Sequence, residues 1–376
     1  MGQSASQQSL KHKEVADLHA FQGDYLKALE SYKNALDSHL QSAEKEDPQI
    51  ADFLIQIGST YLKLSRYVDA LSYFEKAYEI YSKNLDALDS HIIIACDKIG
   101  WTYQRLNKLD KALEYYNKSL SMRTQKWGEN HNSLSNLFNR IASVYDESGD
   151  YEQSLEYYKK SLDLLLKQSS NKSIHITQIY DTIAITYEKQ KNYTEAIQYY
   201  SKSLELSEKT FGELCPEAAT SYMSLGMVYF QQEDYSTSLE YNLKALNLFQ
   251  SIYSENHKDV ATCLANIADI LEKRENLSEA LEKYEKAYRI YSQMGERKIA
   301  EKAILCQKIV PILLKQQANM RALQYMKESV AIKIRLFGDH HAEVAKAYLE
   351  LANVFRTLSM EDEARLSWQK ASEIKV

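Results

Sequence analysis

Residues 183–203 read IAITYEKQKNYTEAIQYYSKS. In the first part, Ile183 and Ala184 are followed three places later by Tyr187. In the second part, Tyr193, Ala196, Ile197, Tyr200 and Ser203 fall at −3, 0, +1, +4 and +7 around Ala196. Those offsets trace one stripe of a helix with 3.6 residues per turn. Small side chains at 0 and +7 let a neighbouring helix come close, and aromatic rings at −3 and +4 fill the space between. Lys191-Asn192 separates the two stripes, and an asparagine suits a turn. The stretch therefore predicts a helix A, a tight turn and a helix B.

The pattern recurs along the whole chain. The small residue at offset 0 is Ala28, Ala70, Ala112, Ser154, Ala196, Ser238, Ala280, Ala322 and Ala364, each 42 residues from the last. The +4 position is Tyr32, Phe74, Tyr116, Tyr158, Tyr200, Tyr284, Met326 and Trp368, with Asn242 as the exception. The A stripe repeats as Ile57-Gly58, Ile99-Gly100, Ile141-Ala142 and Leu225-Gly226, each with a tyrosine three residues on, and more loosely to Leu351-Ala352. The connections recur too, as in Trp127-Gly128, Tyr253-Ser254 and Phe337-Gly338, with His131, His257 and His341 near their ends, and in Phe211-Gly212. A fixed period of this length is the signature of a repeat architecture. Most of the 29 tyrosines find their place in recurring packing slots.

Glycine or alanine on helix A, an aromatic three residues later and an alanine-centred helix B resemble the tetratricopeptide repeat. The 42-residue period and the F-G-x-x-H linker are similar to the repeats of kinesin light chain. The resemblance implies an all-α, right-handed α-solenoid of nine helical hairpins over residues 9–376; the polar residues 1–8 ahead of it are read as a disordered segment. It also implies a protein-interaction adaptor or scaffold whose helices A line a concave groove. In that register the groove positions include the acids Asp97, Asp146, Asp181, Glu188, Asp269 and Glu272. They also include the apolar residues Met223, Met227 and Phe230, with Trp101 and Ile185 further along, and Asn139. Methionines and aromatics suit an adaptable peptide surface. The expected occupant is a protein or peptide segment carrying basic and apolar residues. Pro311 lies inside a helix A and the preceding linker, Gly295 to Lys298, lacks the usual pattern, so a local bend is expected at 295–312.

The composition bounds the alternatives. A net charge of −6 disfavours a nucleic-acid partner, which needs clustered positive charge. No apolar run is long enough for a membrane span and no signal peptide opens the chain, so a cytoplasmic location is expected. The four cysteines, Cys96, Cys215, Cys263 and Cys306, form no CxxC pair and are read as reduced thiols. No nucleotide-binding loop, metalloprotease helix or nucleophile elbow occurs, so neither an enzyme nor a cofactor nor a metal site is expected. His340-His341 is read as a capping element, because histidines recur in that linker. Met1-Gly2-Gln3-Ser4-Ala5-Ser6 matches the myristoylation pattern at Gly2. Two alternative readings follow: a membrane-tethered scaffold at the membrane or cytoskeleton, and a self-assembling solenoid subunit.

Overall fold

The computed structural model describes residues 2–41, 47–167 and 173–374, without the side chains of residues 2–6 and 296. Among the described residues there are eighteen α helices and no strand. They form two compact units, residues 1–190 and 191–376. The first holds α1 (Gly2–Phe21), α2 (Tyr25–Leu40), α3 (Pro48–Lys63), α4 (Tyr67–Asn84), α5 (Ser90–Arg105), α6 (Leu109–Trp127), α7 (Ser133–Ser148), α8 (Tyr151–Leu166) and α9 (Ser173–Lys189). The second holds α10 (Tyr193–Phe211), α11 (Pro216–Gln231), α12 (Tyr235–Ile252), α13 (Lys258–Lys273), α14 (Leu277–Gln293), α15 (Ile299–Lys315), α16 (Asn319–Phe337), α17 (Ala342–Thr357) and α18 (Glu361–Glu373). Odd-numbered helices carry the A stripe and even-numbered helices the B stripe.

The A–B turns share one backbone device. The residues at 23, 65, 107, 149, 191, 233, 275, 317 and 359 all adopt positive φ, although only Gly23 and Gly149 are glycines. The following amide closes the turn onto the last helical turn, as in Arg66 N to Tyr61 O at 2.9 Å and Asp150 N to Tyr145 O at 2.9 Å. This closure satisfies carbonyls that the helix end would otherwise leave open. On the far side, Asp150 and Asp234 accept from the backbone of Gln153 and Thr237, capping α8 and α12.

The longer connections end in side-chain caps as well. Asp47 and Asp89 cap α3 and α5. His257 and His341 do the same for α13 and α17, each accepting a backbone N–H on Nδ1 at 3.4 and 3.1 Å. Each imidazole lies stacked on the aromatic that opens its linker, Tyr253 at 3.9 Å and Phe337 at 4.7 Å between centroids. His257 and His341 are therefore capping groups. Replacing His257 by Ala is expected to cost about 1 kcal/mol, while His257→Asp should keep most of the cap; thermal melts of the two variants check this.

In the second and third hairpins the small A-helix residue receives the B-helix ring. A Cβ placed on Gly58 would lie 2.6 Å from the Phe74 ring, and one on Gly100 would lie 2.8 Å from Tyr116. Both rings are fully buried. A second ring pairing was not read from the sequence. The A-helix tyrosine stacks on a B-helix tyrosine at offset +3: Tyr61 on Tyr73, Tyr103 on Tyr115, Tyr145 on Tyr157 and Tyr229 on Tyr241, with centroids 5.4–5.7 Å apart. A lysine three residues further along covers the outer ring, as Lys118 covers Tyr115 at 4.6 Å.

One local expectation changes, at the N-terminus. Helix α1 begins at Gly2, ahead of the boundary at residue 9, since no helix breaker interrupts Gln3–Leu10 and the Ser9 hydroxyl is anchored on the Ala35 carbonyl at 2.8 Å. Pro311 lies within α15, which runs through it from Ile299 to Lys315 with the proline on the exposed side. The atypical linker before it forms a 3-10 turn, Gly295–Lys298.

Candidate peptide-binding surface

In the first unit, α3, α5 and α7 enclose a cleft of about 430 Å³. Its apolar wall is Leu62, Ile94 and Trp101, and its polar wall is Ser59, Asp97, Lys63, Lys98 and Arg140. The helix period accounts for this set. Ile94, Asp97, Lys98 and Trp101 lie on consecutive turns of α5, on a face that does not hold the Gly100 contact with α6.

Electrostatics in the cleft depart from the acidic wall read from the sequence. The Asp97 carboxylate is bonded by the Arg123 guanidinium of α6 and accepts from the Ser119 hydroxyl at 2.5 Å. Asp97 is thus neutralised from behind. Lys98 donates to the Ser59 hydroxyl at 2.9 Å and its ammonium lies 5.5 Å from the Phe74 ring centre. Burial, and then the nearby Arg140 cation, push the Lys98 pKa below the usual lysine value. Among the described residues, no carboxylate stands within ion-pair distance of Lys63, Lys98 or Arg140. The open side of the cleft is therefore cationic, and the sequence missed it because Lys98 and Arg140 fall between the helix positions assigned to the groove, one place after Asp97 and Asn139.

The other expected groove residues divide between pairing and exposure. Asp146 holds the Lys189 ammonium and accepts from Thr186 at 3.4 Å. Asp181 and Glu188 are half-buried and engaged by neighbouring groups. Ile185 is exposed. The Asn139 side-chain oxygen is buried without a hydrogen-bond partner. Trp101 packs edge-on to Tyr67 at 6.2 Å beneath the Arg105 guanidinium. Gly2, the candidate acylation site, is the first residue of α1.

In the second unit, Met223, Met227 and Phe230 share one face of α11 and are all half-buried. The Cys263 thiol of α13 points at the Met223 sulfur at 3.9 Å, and Phe230 packs on Tyr235 at 5.6 Å. Asp269 is held by the Lys308 ammonium and by the Tyr284 hydroxyl, which also meets Glu272 at 2.8 Å. Burial, then the two carboxylates, raise the Tyr284 pKa far above the ordinary phenol value. Here again the acids serve the packing. All four cysteines are buried free thiols, and burial raises those of Cys96, Cys263 and Cys306 to about 12. No group of metal-ligating side chains and no helix long and apolar enough to cross a membrane occurs among the described residues.

Comparison with known proteins agrees with the fold. Among curated proteins none matches. Among solved structures, the apo form of RapI is similar over 97% of both chains at 17% identity, with a TM-score of 0.62. The apo form of the quorum sensor NprR from B. thuringiensis is similar over 97% of both chains at 16% identity, with a TM-score of 0.56. A Podosopora anserina putative kinesin light chain with nearly identical repeats matches 56% of this chain and 99% of its own, at 15% identity and a TM-score of 0.50. At these identities the likeness concerns the fold. The tetratricopeptide repeat model matches residues 7–83, 92–167, 175–251 and 217–293. With the period, the hairpins and that match in agreement, the chain belongs to the tetratricopeptide repeat family.

Proposed function

We infer that the protein is an interaction scaffold, and that the α3/α5/α7 cleft takes a segment of a partner protein carrying an acidic group beside an apolar one. The carrying observation is the set of three cations, Lys63, Lys98 and Arg140, facing the Leu62, Ile94 and Trp101 wall with no carboxylate to pair them. A carboxylate supplied by a ligand would form charge-assisted bonds with Lys98 and Arg140. The apolar wall would cover the adjoining side chain. The basic segment expected from the acidic residues loses its support here, because Asp97 and Asp146 already hold Arg123 and Lys189. Membership of a repeat family that commonly presents binding surfaces supports the reading at the level of fold.

A matched pair of labelled peptides tests it, one alternating Glu with Leu and the other Lys with Leu. Fluorescence anisotropy should show binding of the Glu peptide alone, weakening as salt rises. The double variant Lys98→Glu and Arg140→Glu should reduce that affinity by about tenfold or more. Equal or stronger binding of the Lys peptide would overturn the assignment.

A further inference from the structure

The sixth hairpin breaks the ring series at Asn242. Elsewhere the same slot is filled by a phenol in Tyr32, Tyr116, Tyr158, Tyr200 and Tyr284. In three of them the phenol tip reaches A-helix residues one or four places after the small residue. Tyr32 donates to Asp17, Tyr116 to Gln104, and Tyr284 meets Asp269 and Glu272. In the sixth hairpin those two places are Met227 and Phe230. Both are apolar, so the sixth hairpin lacks the polar partners that phenol tips meet in its siblings.

Asn242 does not replace what the phenol supplies. It is fully buried, and its Nδ2 donates to the Ser238 carbonyl at 2.9 Å. The side chain hugs the A helix, and a Cβ at Gly226 would lie 2.2 Å from Nδ2. Its Oδ1, the end of the amide turned away from Ser238, has no hydrogen-bond partner. A buried acceptor left open costs folding free energy. Two methionines and a phenylalanine, Met223, Met227 and Phe230, lie on one face of the same A helix. The methionines are flexible thioethers that can repack and that favour aromatic contacts.

We propose that this slot is an aromatic subsite that receives a tyrosine side chain of a bound partner, whose hydroxyl donates to the Asn242 oxygen while its ring displaces Met227. The sibling hairpins point to the occupant, because five of the other eight fill the equivalent position with a phenol of their own. The subsite lies in the second unit and stands independently of the acidic-segment reading of the first.

Titration of the full chain, labelled with ¹³C at the methionine methyls, tests it. The probe is N-acetyl-tyrosinamide and the comparator is N-acetyl-phenylalaninamide, which lacks only the hydroxyl. The expected result is a saturable shift of the Met223 and Met227 methyls with the tyrosine probe. Affinity for the phenylalanine probe should be weaker by about tenfold. Asn242→Tyr rebuilds the sibling arrangement, should fold as they do, and should abolish the shifts, whereas the Lys98→Glu and Arg140→Glu variant should leave them intact. The absence of saturable shifts, equal affinity for the two probes, or shifts persisting in Asn242→Tyr would overturn the proposal.

Discussion

Raising the pH above 10 should unfold residues 1–190 steeply. Tyr81, Tyr116 and Tyr158 are buried there, and in each case burial is the largest cause of a raised pKa. Tyr116 is pushed up to about 12. In the unfolded chain these phenols ionise near the ordinary value of about 10. The folded chain keeps their protons longer, so it binds more protons than the unfolded chain at alkaline pH. The stabilisation is complete below the unfolded value and is lost as pH rises through that value toward the folded ones. Each such phenol costs about 1.4 kcal/mol per pH unit in that window, so three together cost about 4 kcal/mol per unit. That is a large part of the stability of an ordinary domain. Urea unfolding between pH 8 and 11, followed by tryptophan fluorescence in a Trp368→Phe background, reads this unit through Trp101 and Trp127. Tyr81→Phe should make the slope shallower, since one of the protons that the folded unit retains is deleted. It should also lower stability at neutral pH, because the Tyr81 hydroxyl donates to Asp52 at 2.5 Å. Stability that stays level to pH 11 would contradict the assignment of these phenols as buried acids.

Removing the Phe74 ring should produce the second large effect. Phe74 is fully buried, and its ring edge rests against Gly58. Phe74→Ala deletes the burial of the ring and leaves a cavity, with an expected loss of about 3–5 kcal/mol. Gly58→Ala in the native background forces a methyl to within 2.6 Å of the ring, so the ring must shift and stability falls. In the Phe74→Ala background the same methyl enters vacated space and adds helix propensity. The double variant should therefore be more stable than the sum of the single losses, a coupling that a double-mutant cycle of denaturation free energies measures directly. Strict additivity would mean that the two groups do not meet.

These two cases show why so much of the fold was legible. Phe74 and Tyr116 recur at one offset and Gly58 and Gly100 at another, and a period of 3.6 residues converts offsets into faces. The turns were equally readable as positions, since each lies between two stripes. Their backbone was not, because Ser65, Lys191, Glu233 and Glu275 adopt positive φ without being glycines. The closing hydrogen bonds and the packing of the flanking helices hold them there, and these are not local properties of a serine or a lysine.

The candidate surface was legible only in part. Helix register placed Trp101, Asp97, Met223 and Met227 on A-helix faces, and the structure has Asp97 and Trp101 lining one cleft. Register carries no information on charge pairing. Asp97 meets Arg123 across 26 residues, Asp146 meets Lys189 across 43, and Asp269 meets Lys308 across 39, so three carboxylates that read as an acidic wall are spent on neighbouring helices. The sequence by itself determined the period, the helical hairpins and the slots that small and aromatic residues fill, because these follow from spacing along one chain. Only the tertiary structure decided which charges remain open to a ligand and which buried oxygen lacks a partner, because both depend on side chains that approach from separate helices.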